Sequence, residues 1–315
     1  MARERCRDPV FLKGDNKMDD RIEIKNVSKF YGKKQALNDV SLSIGKGMFG
    51  LLGRNGAGKT TLMKTLAGLH PMSGGSITVC GVPISKVKEI RSMTGYLPQE
   101  FSMYPSMTCE ECLDYLGTLS GMSKVLRRKR IDEMLVRVNL DEHRTKKVKQ
   151  LSGGMKRRLG IAQALLHDPK VLIVDEPTAG LDPEERIRFR NLLGEVAEDR
   201  IVILSTHIVG DIEAACEKAA VMNDGRILHN GKVDDLLRAA EGMVWSAVVE
   251  TRFLTQIKLL YPVTGMVMKD RDTIVRFISD ETPDISGAEA VKPNLEDAYI
   301  CCLYRNGCIE NGGDI

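Results

Sequence analysis

The chain carries the stretch Gly53-Arg54-Asn55-Gly56-Ala57-Gly58-Lys59-Thr60-Thr61 between an apolar run and a segment of helical periodicity. It matches the pattern G-x-x-x-x-G-K-[ST], in which glycines let the backbone turn tightly and direct several N–H groups at phosphate oxygens. The run 48–52 predicts a buried strand before it, and the apolar spacing after it predicts a helix. Because a helix N-terminus attracts anions, we expect Lys59 to reach the β- and γ-phosphates of a nucleotide and the Thr60 hydroxyl to ligate Mg²⁺.

The composition is that of a globular protein without a strong charge bias. Of the 315 residues, 43% are hydrophobic and 28% are charged, and 46 basic against 43 acidic residues leave a net charge of +3. This near-balance gives no support for a nucleic-acid partner. The sequence also lacks an apolar segment of the roughly 18 to 20 residues that a membrane-spanning helix needs. We therefore expect any role at a membrane to be exercised through another protein.

The eight cysteines show no regular spacing, and the N-terminal segment lacks the apolar core of a secretory signal. We therefore expect reduced thiols in the cytoplasm. Cys109 and Cys112 form a lone C-x-x-C, which we interpret as incidental because no second pair supplies a metal's remaining ligands.

Periodicity divides the chain into three parts. Residues 1–19 are expected to be a disordered leader, with Met18 as an alternative start. Residues 20–240 are predicted to form an α/β domain with a mostly parallel central sheet, antiparallel N-terminal strands and a helical insert at about 100–150. Residues 243–315 are predicted to form a small α+β appendage. The further predicted strands of the main domain are 21–27, 41–44, 74–79, 171–174 and 201–204.

Polar residues follow two of the buried strands at their carboxyl ends. Asp175 and Glu176 come directly after the run 171–174, and His207 follows the run 201–204 closely. In an open α/β sheet these ends meet in the crevice that binds ligands. Asp175 is suited to hold Mg²⁺, Glu176 to polarise a water for attack on a γ-phosphate, and His207 to donate a hydrogen bond to a phosphate oxygen. Further along, Asp182 followed by proline predicts a helix start with Asp182 as the N-cap.

From about residue 20 to 240, the order of these motifs resembles the ATP-binding subunits of ABC transporters, and this order is far more specific than any single motif. The resemblance implies ATP and Mg²⁺ as cofactors, with Gly53 to Thr61 as the Walker A loop. It further implies adenine stacking for Tyr31, Mg²⁺ sensing for Gln99, a Walker B role for Asp175, catalysis by Glu176, and a switch role for His207. The remaining implied ATP contacts, from the signature and the D-loop, are Ser152, Gly153, Gly154 and Asp182.

Two features are similar to the drug-exporter branch of that family, which includes daunorubicin-resistance-type pumps. The signature usually ends in Gln, whereas this chain has Met155 followed by a basic triplet, and the segment 293–300 is similar to a C-terminal helix motif of the branch. The resemblance implies a peripheral protein at the cytoplasmic face of the cell membrane that drives export through a separate transmembrane permease. It also implies dimerisation with a second nucleotide-binding subunit, identical or paralogous, and no nucleic-acid partner.

The sequence leaves alternative functions open. One is an ATPase of the same family without a transport role, acting on ribosomes or DNA; such proteins normally carry two motif sets or a long coiled coil, and this chain has one set and only a helical insert. Another is a module that has lost catalysis, which the presence of Lys59, Glu176 and His207 disfavours. The apolar residues that follow Gln99 are compatible with either core or an exposed permease surface, and they are Phe101, Met103, Tyr104 and Met107.

Overall fold

The computed structural model describes residues 20–309, so the predicted leader at 1–19 and residues 310–315 lie outside the described part of the chain. The strands of this part are β1 (Ile22–Tyr31), β2 (Lys34–Ile44), β3 (Gly47–Leu52), β4 (Gly74–Val79), β5 (Val82–Pro83), β6 (Thr94–Leu97), β7 (Val171–Asp175), β8 (Ile201–Thr206), β9 (Lys218–Asn223), β10 (Arg226–Lys232), β11 (Val244–Glu250), β12 (Val263–Lys269), β13 (Asp272–Ile278) and β14 (Glu289–Ala290). The α-helices are α1 (Lys59–Leu66), α2 (Val87–Met93), α3 (Cys109–Leu119), α4 (Lys124–Arg137), α5 (Gly153–Leu165), α6 (Pro183–Ala197), α7 (Val209–Ala215), α8 (Val233–Ala239), α9 (Leu254–Leu260) and α10 (Leu295–Arg305).

A six-stranded sheet in the order β10-β9-β3-β8-β7-β6 forms the centre of the main domain. Strands β9, β3, β8, β7 and β6 run parallel, and β10 pairs antiparallel with β9. Every residue of β7 and β8 is buried, as expected for parallel strands that are covered on both faces. The predicted α/β class with a mostly parallel sheet is therefore confirmed.

A second sheet, in the order β2-β1-β4-β5, is antiparallel and is built from the N-terminal strands. Helix α1 lies between the two sheets, because its residues Leu62 and Leu66 share one apolar cluster with Ile24 of β1 and Ile203 of β8. The start of α1, where the glycine-rich stretch ends, is consequently held by packing from both sides.

The predicted helical insert is present as α3 and α4. Their inward residues, including Leu113, Ile131 and Leu135, join the main apolar cluster together with Leu159 of α5. Cys109 and Cys112 are both buried in this cluster, on consecutive turns at the start of α3.

The C-terminal part is an antiparallel sheet in the order β12-β13-β11-β14, with Ile257 of α9 packed against Val275 and Phe277. Helix α10 then returns to the main domain, since Leu295 and Leu303 belong to the main apolar cluster. The last helix therefore shares the core of the main domain, and a domain boundary near residue 243 stays a prediction. Among residues 20–309, no helix combines the length and the apolar character needed to cross a bilayer.

Candidate active site

The glycine-rich stretch forms a loop between β3 and α1. Gly58 is the N-cap of α1 with φ 107°, and Gly56 has φ 86°, a backbone conformation that side chains with a Cβ rarely adopt. A Cβ at Gly58 would also lie 2.6 Å from the backbone oxygen of Ala36. The loop conformation thus requires glycine at these points, and the N–H groups that begin α1 have no partner within the helix.

Lys59, the first residue of α1, has a buried side chain that bends back over this loop. Its Nζ donates to the carbonyl oxygens of Gly53 at 2.6 Å and Arg54 at 3.1 Å. It also forms an ion pair with Glu176 Oε1 at 3.2 Å. The ammonium group therefore lies between the glycine-rich loop 53–58, called the phosphate loop below, and the predicted catalytic carboxylate of Glu176.

Glu176 follows β7 in the left-handed region, with φ 49°. Its backbone N–H donates to the carbonyl of Ser205 in β8 at 2.9 Å, which holds the turn against the neighbouring strand. Glu176 Oε2 lies 2.5 Å from His207 Nδ1, so the two predicted residues from adjacent strand ends are brought together. A buried carboxylate held by an imidazole on one oxygen is an arrangement that can take a proton from a water molecule.

Asp175, the last residue of β7, is completely buried, and neither of its carboxylate oxygens has a hydrogen-bond partner among the described residues. An unpartnered buried carboxylate is costly, and a divalent cation would offset that cost. Nearby, burial and the charge of Asp175 raise the pKa of Tyr96. Burial lowers the pKa of the Arg157 guanidinium, and Asp175 opposes this shift. Tyr96 and Arg157 thus lie in a poorly solvated region close to the Asp175 carboxylate.

A cleft of about 530 Å³ lies over the phosphate loop. The predicted site residues that line it are Tyr31, Arg54, Asn55, Gly56, Gly58, Lys59, Thr60, Thr61, Gln99 and Glu176. These predicted residues come from four separate segments of sequence, and Tyr31 lines the same cleft as the glycine-rich loop and Glu176.

A second group of predicted residues does not line this cleft. Ser152 is the N-cap of α5 and accepts a hydrogen bond from the Met155 backbone at 3.2 Å. Asp182 is likewise the N-cap of α6, which confirms the predicted helix start. A Cβ at Gly154 would come within 2.5 Å of Glu185 Oε2, so the start of α5 is tightly packed against the first turn of α6.

Comparison with known proteins supplies the family. A family model described as ABC transporter matches residues 37–179. The Nod factor export ATP-binding protein I of Cupriavidus pinatubonensis (strain JMP 134 / LMG 1197) is 33% identical over 290 residues, which make up 89% of each chain. The Linearmycin resistance ATP-binding protein LnrL of Bacillus subtilis (strain 168) is 38% identical over 301 residues, 89% of this chain and 97% of the relative. This chain belongs to the ABC transporter ATP-binding proteins.

A solved structure agrees with this assignment for the ATP-binding part. It is described as the dimeric structure of a post-hydrolysis state of the ATP-binding cassette MJ0796 bound to ADP and Pi. It matches with a TM-score of 0.61 and 27% identity over 67% of this chain and 98% of the other. The ABC transporter ATP-binding protein described here is accordingly an ATPase, and ATP is the nucleotide that it binds.

Sequence reasoning missed several residues of the ATPase site. Gly225, in the turn between β9 and β10, donates its N–H to the Ala57 carbonyl at 2.8 Å and so supports the phosphate loop. The Asp224-Gly225 pair is a recognisable turn signal, but nothing in the sequence places that turn beside residue 57. The other cleft residues that were not predicted are Lys34, Gln35 and Ala36, from the start of β2.

Arg157 is a further residue of the site that the sequence did not predict. Its guanidinium donates to the Pro98 carbonyl at 3.1 Å and to the Glu176 carbonyl at 3.5 Å. It therefore connects the segment that carries Gln99 with the backbone of the predicted catalytic carboxylate. The basic triplet after Met155 was the only signal, and it indicated the family branch without indicating this contact.

Proposed function

We propose that this ABC ATPase powers the export of a substrate through a separate transmembrane permease, as a peripheral protein at the cytoplasmic face of the membrane. The observation that carries the hydrolysis part of the proposal is the chain of contacts from Lys59 through Glu176 to His207 beside the cleft. The export part is supported by relatives named for Nod factor export and for linearmycin resistance. Neither name favours a non-transport ATPase that acts on ribosomes or DNA.

In this proposal the phosphates of ATP bind the N–H groups of the loop 53–58 and the N-terminus of α1. Lys59 exchanges its contact with Glu176 for the β- and γ-phosphate oxygens. Glu176 then accepts a proton from the water that attacks the γ-phosphate, and His207 orients the carboxylate through Oε2. Each step uses a group that already lies within hydrogen-bond or ion-pair distance of the next one.

Thr60, Gln99 and Asp175 would hold Mg²⁺. The support is the Asp175 carboxylate, whose two buried oxygens have no hydrogen-bond partner in the described part of the chain. When bound, Mg²⁺ neutralises charge on the phosphate oxygens. Thr60 and Gln99 both line the cleft beside the loop.

Two copies, or this chain and a paralogue, would form the working unit. Ser152 and Gly153 are exposed at the N-terminus of α5, and Asp182 is exposed at the start of α6, all outside the cleft of their own chain. A helix N-terminus with exposed N–H groups suits a γ-phosphate presented by a facing subunit. We therefore propose that the residues from 152 to 154 and Asp182 complete the ATP site of the partner subunit.

Tyr31→Ala tests the base end of the cleft. Stacking of an aromatic ring on a base is worth about 1–3 kcal/mol, so we expect KM to rise about ten- to a hundredfold for ATP and GTP alike, with kcat within about twofold. Phe30→Ala is the matched control, because Phe30 is the adjacent aromatic residue, is equally exposed, and does not line the cleft. Steady-state ATPase kinetics on the purified protein give both constants. An unchanged KM for Tyr31→Ala would remove Tyr31 from the site.

The apolar residues after Gln99 divide into two groups. Phe101, Met103 and Met107 are half-buried and pack against the main core. Tyr104 is 53% exposed and packs edge-on against Tyr115 of α3, with ring centroids 5.5 Å apart. Exposed aromatic residues are enriched in protein interfaces. We therefore propose Tyr104 and Tyr115 as the part of this segment that contacts the permease.

Tyr104→Glu tests this surface. A buried charge opposes binding, whereas the substitution touches no core residue, so we expect the protein to leave the membrane fraction while its soluble ATPase activity stays within about twofold of wild type. Met107 is a poorer target because a charge there would enter the core. Leu259→Glu, at an equally exposed apolar residue on α9, is the control and is expected to stay with the membranes. If wild-type protein is wholly cytosolic in its own cells and crosslinks to no membrane protein, the transport proposal fails.

A further inference from the structure

Tyr31, at the end of β1, is fixed by a residue for which the sequence suggested no role. Its hydroxyl lies 2.6 Å from Nδ1 of His70. The two rings meet edge to face, with centroids 6.0 Å apart and an interplanar angle of 74°. Since 44% of the Tyr31 surface is exposed, this hydrogen bond is a principal restraint on an otherwise open side chain.

The position of His70 is itself set by the backbone on both sides. The N–H groups of Leu69 and His70 both donate to the Lys64 carbonyl, at 2.9 and 3.2 Å, so His70 directly caps the end of α1. Three residues later, Ser73 donates its N–H to the Ser28 carbonyl at 2.8 Å and ties this segment to β1. The imidazole is thus held relative both to the helix that begins in the phosphate loop and to the strand that ends in Tyr31.

Lys29 adds a third contact to the ring. Its Nζ lies over the Tyr31 ring, 5.1 Å from the centroid, and its side chain is largely buried. Lys29 and Tyr31 are two residues apart on β1 and therefore project to the same side of the strand. The ammonium lies near the ring and His70 holds the hydroxyl, while the exposed part of Tyr31 lines the cleft.

We propose that His70 is a positioning residue of this ATPase, which holds the Tyr31 ring in the orientation that stacks on the purine of ATP. The inference rests on the proposed base contact of Tyr31 and extends it to a second residue. An exposed aromatic side chain loses rotamer freedom when it binds a ligand, and a ring that is already restrained loses less. The tyrosine hydroxyl can donate or accept, so the bond forms with either tautomer of the imidazole.

A double-mutant cycle tests the proposal on the full chain. His70→Ala and Tyr31→Phe each remove one partner of the same bond, so each is expected to raise KM for ATP about three- to fivefold with kcat unchanged. The double variant is expected to show the same three- to fivefold rise, because the bond can be lost only once. Two independent effects, whose free energies add and which together would raise KM about 9- to 25-fold, would overturn the proposal.

Two further measurements separate positioning from a general structural role. His70→Asn places an amide near the position of Nδ1, and we expect KM to return to within twofold of wild type; equal KM values for the Asn and Ala variants would overturn the hydrogen bond as the cause. Inorganic tripolyphosphate has phosphates and no base, so its inhibition constant is expected to be the same in wild type and His70→Ala. A changed constant would place the effect of His70 on the phosphate loop, against the proposal.

The outcome for Tyr31→Ala distinguishes a failure of the proposed base contact from a failure of the role proposed for His70. If Tyr31→Ala raises KM and His70→Ala does not, the base contact stands and the role of His70 is wrong. If neither variant changes KM, the base contact itself fails and the role of His70 fails with it. A lower KM for His70→Ala would show that the histidine holds the ring away from ATP, which also overturns the proposal.

Discussion

Glu176→Gln protein is expected to hydrolyse ATP at least about a hundredfold more slowly than wild type, since general base catalysis typically contributes 10²- to 10⁴-fold. The amide has nearly the shape of the carboxylate and can still bond His207, but it cannot take a proton from water. ATP binding should be retained, because Lys59 keeps its contacts with the carbonyls of Gly53 and Arg54. Single-turnover kinetics with Mg²⁺ and radiolabelled ATP measure the chemical step directly.

The same variant is expected to trap the dimer. If the N-terminus of α5 binds the γ-phosphate of a facing subunit, ATP holds the two subunits together until it is hydrolysed. Size-exclusion chromatography of Glu176→Gln at saturating ATP should therefore show a dimer, and a monomer would count heavily against this arrangement. Adding Ser152→Arg should abolish the dimer.

Ser152 is also a helix N-cap, so this second substitution needs a matched control. Ser123 caps α4 in the same way, accepting a hydrogen bond from the Leu126 backbone at 3.4 Å. Ser123→Arg should cost a similar cap energy, about 1 kcal/mol, and leave the dimer intact. A dimer that forms equally well with Ser152→Arg would contradict the proposed placement of the signature residues.

Lys59→Ala is expected to have the second large effect, a fall in kcat/KM of at least about a thousandfold. The ammonium group makes charge-assisted contacts with the phosphates, and one such donor alone contributes about 10²- to 10³-fold to the rate in comparable sites. Removing it also weakens ATP binding before the chemical step. Isothermal titration with ATP and steady-state hydrolysis separate the two losses.

Stability should fall in the same variant. Lys59 pairs with a buried Glu176, and removing one partner of a buried ion pair typically costs about 3–5 kcal/mol. Urea unfolding is therefore measured beside activity, so that the loss of turnover is assessed on folded protein. Lys64→Ala, on the same helix and away from the cleft lining, is the control and should retain activity. Unchanged ATPase activity in folded Lys59→Ala would refute the assignment of the phosphate loop.

Much of the fold and of the site of this protein can be predicted from local patterns in its sequence. The phosphate loop, the buried strands β3, β7 and β8, and the N-cap at Asp182 all follow from short-range patterns of glycine, apolar and capping residues. The position of Asp175 and Glu176 at a strand end can also be predicted, because both residues directly follow the strand in the sequence. The ordered set of motifs was sufficient for the family, because each motif is local and their order along the chain needs no coordinates.

Tertiary structure decided which residues touch. Glu176 and His207 are 31 positions apart, and their contact exists because β7 and β8 are parallel neighbours with Asp175 in register with Ser205. The same holds for Arg157 on the Glu176 carbonyl and for Gly225 on the phosphate loop. Hydrogen bonds between distant segments depend on strand order and helix packing, which leave no periodic signal in either segment.

The position of Tyr31 illustrates the difference most clearly. The sequence places an aromatic residue before a glycine turn, and the family resemblance implies adenine stacking for it, but His70 has no feature that sets it apart. Only the pairing of β1 with β4 brings the end of α1 beside the end of β1 and so joins the two side chains. Short-range chemistry thus specified the groups that act on ATP, whereas the long-range burial of α1 between two sheets specified how those groups are held.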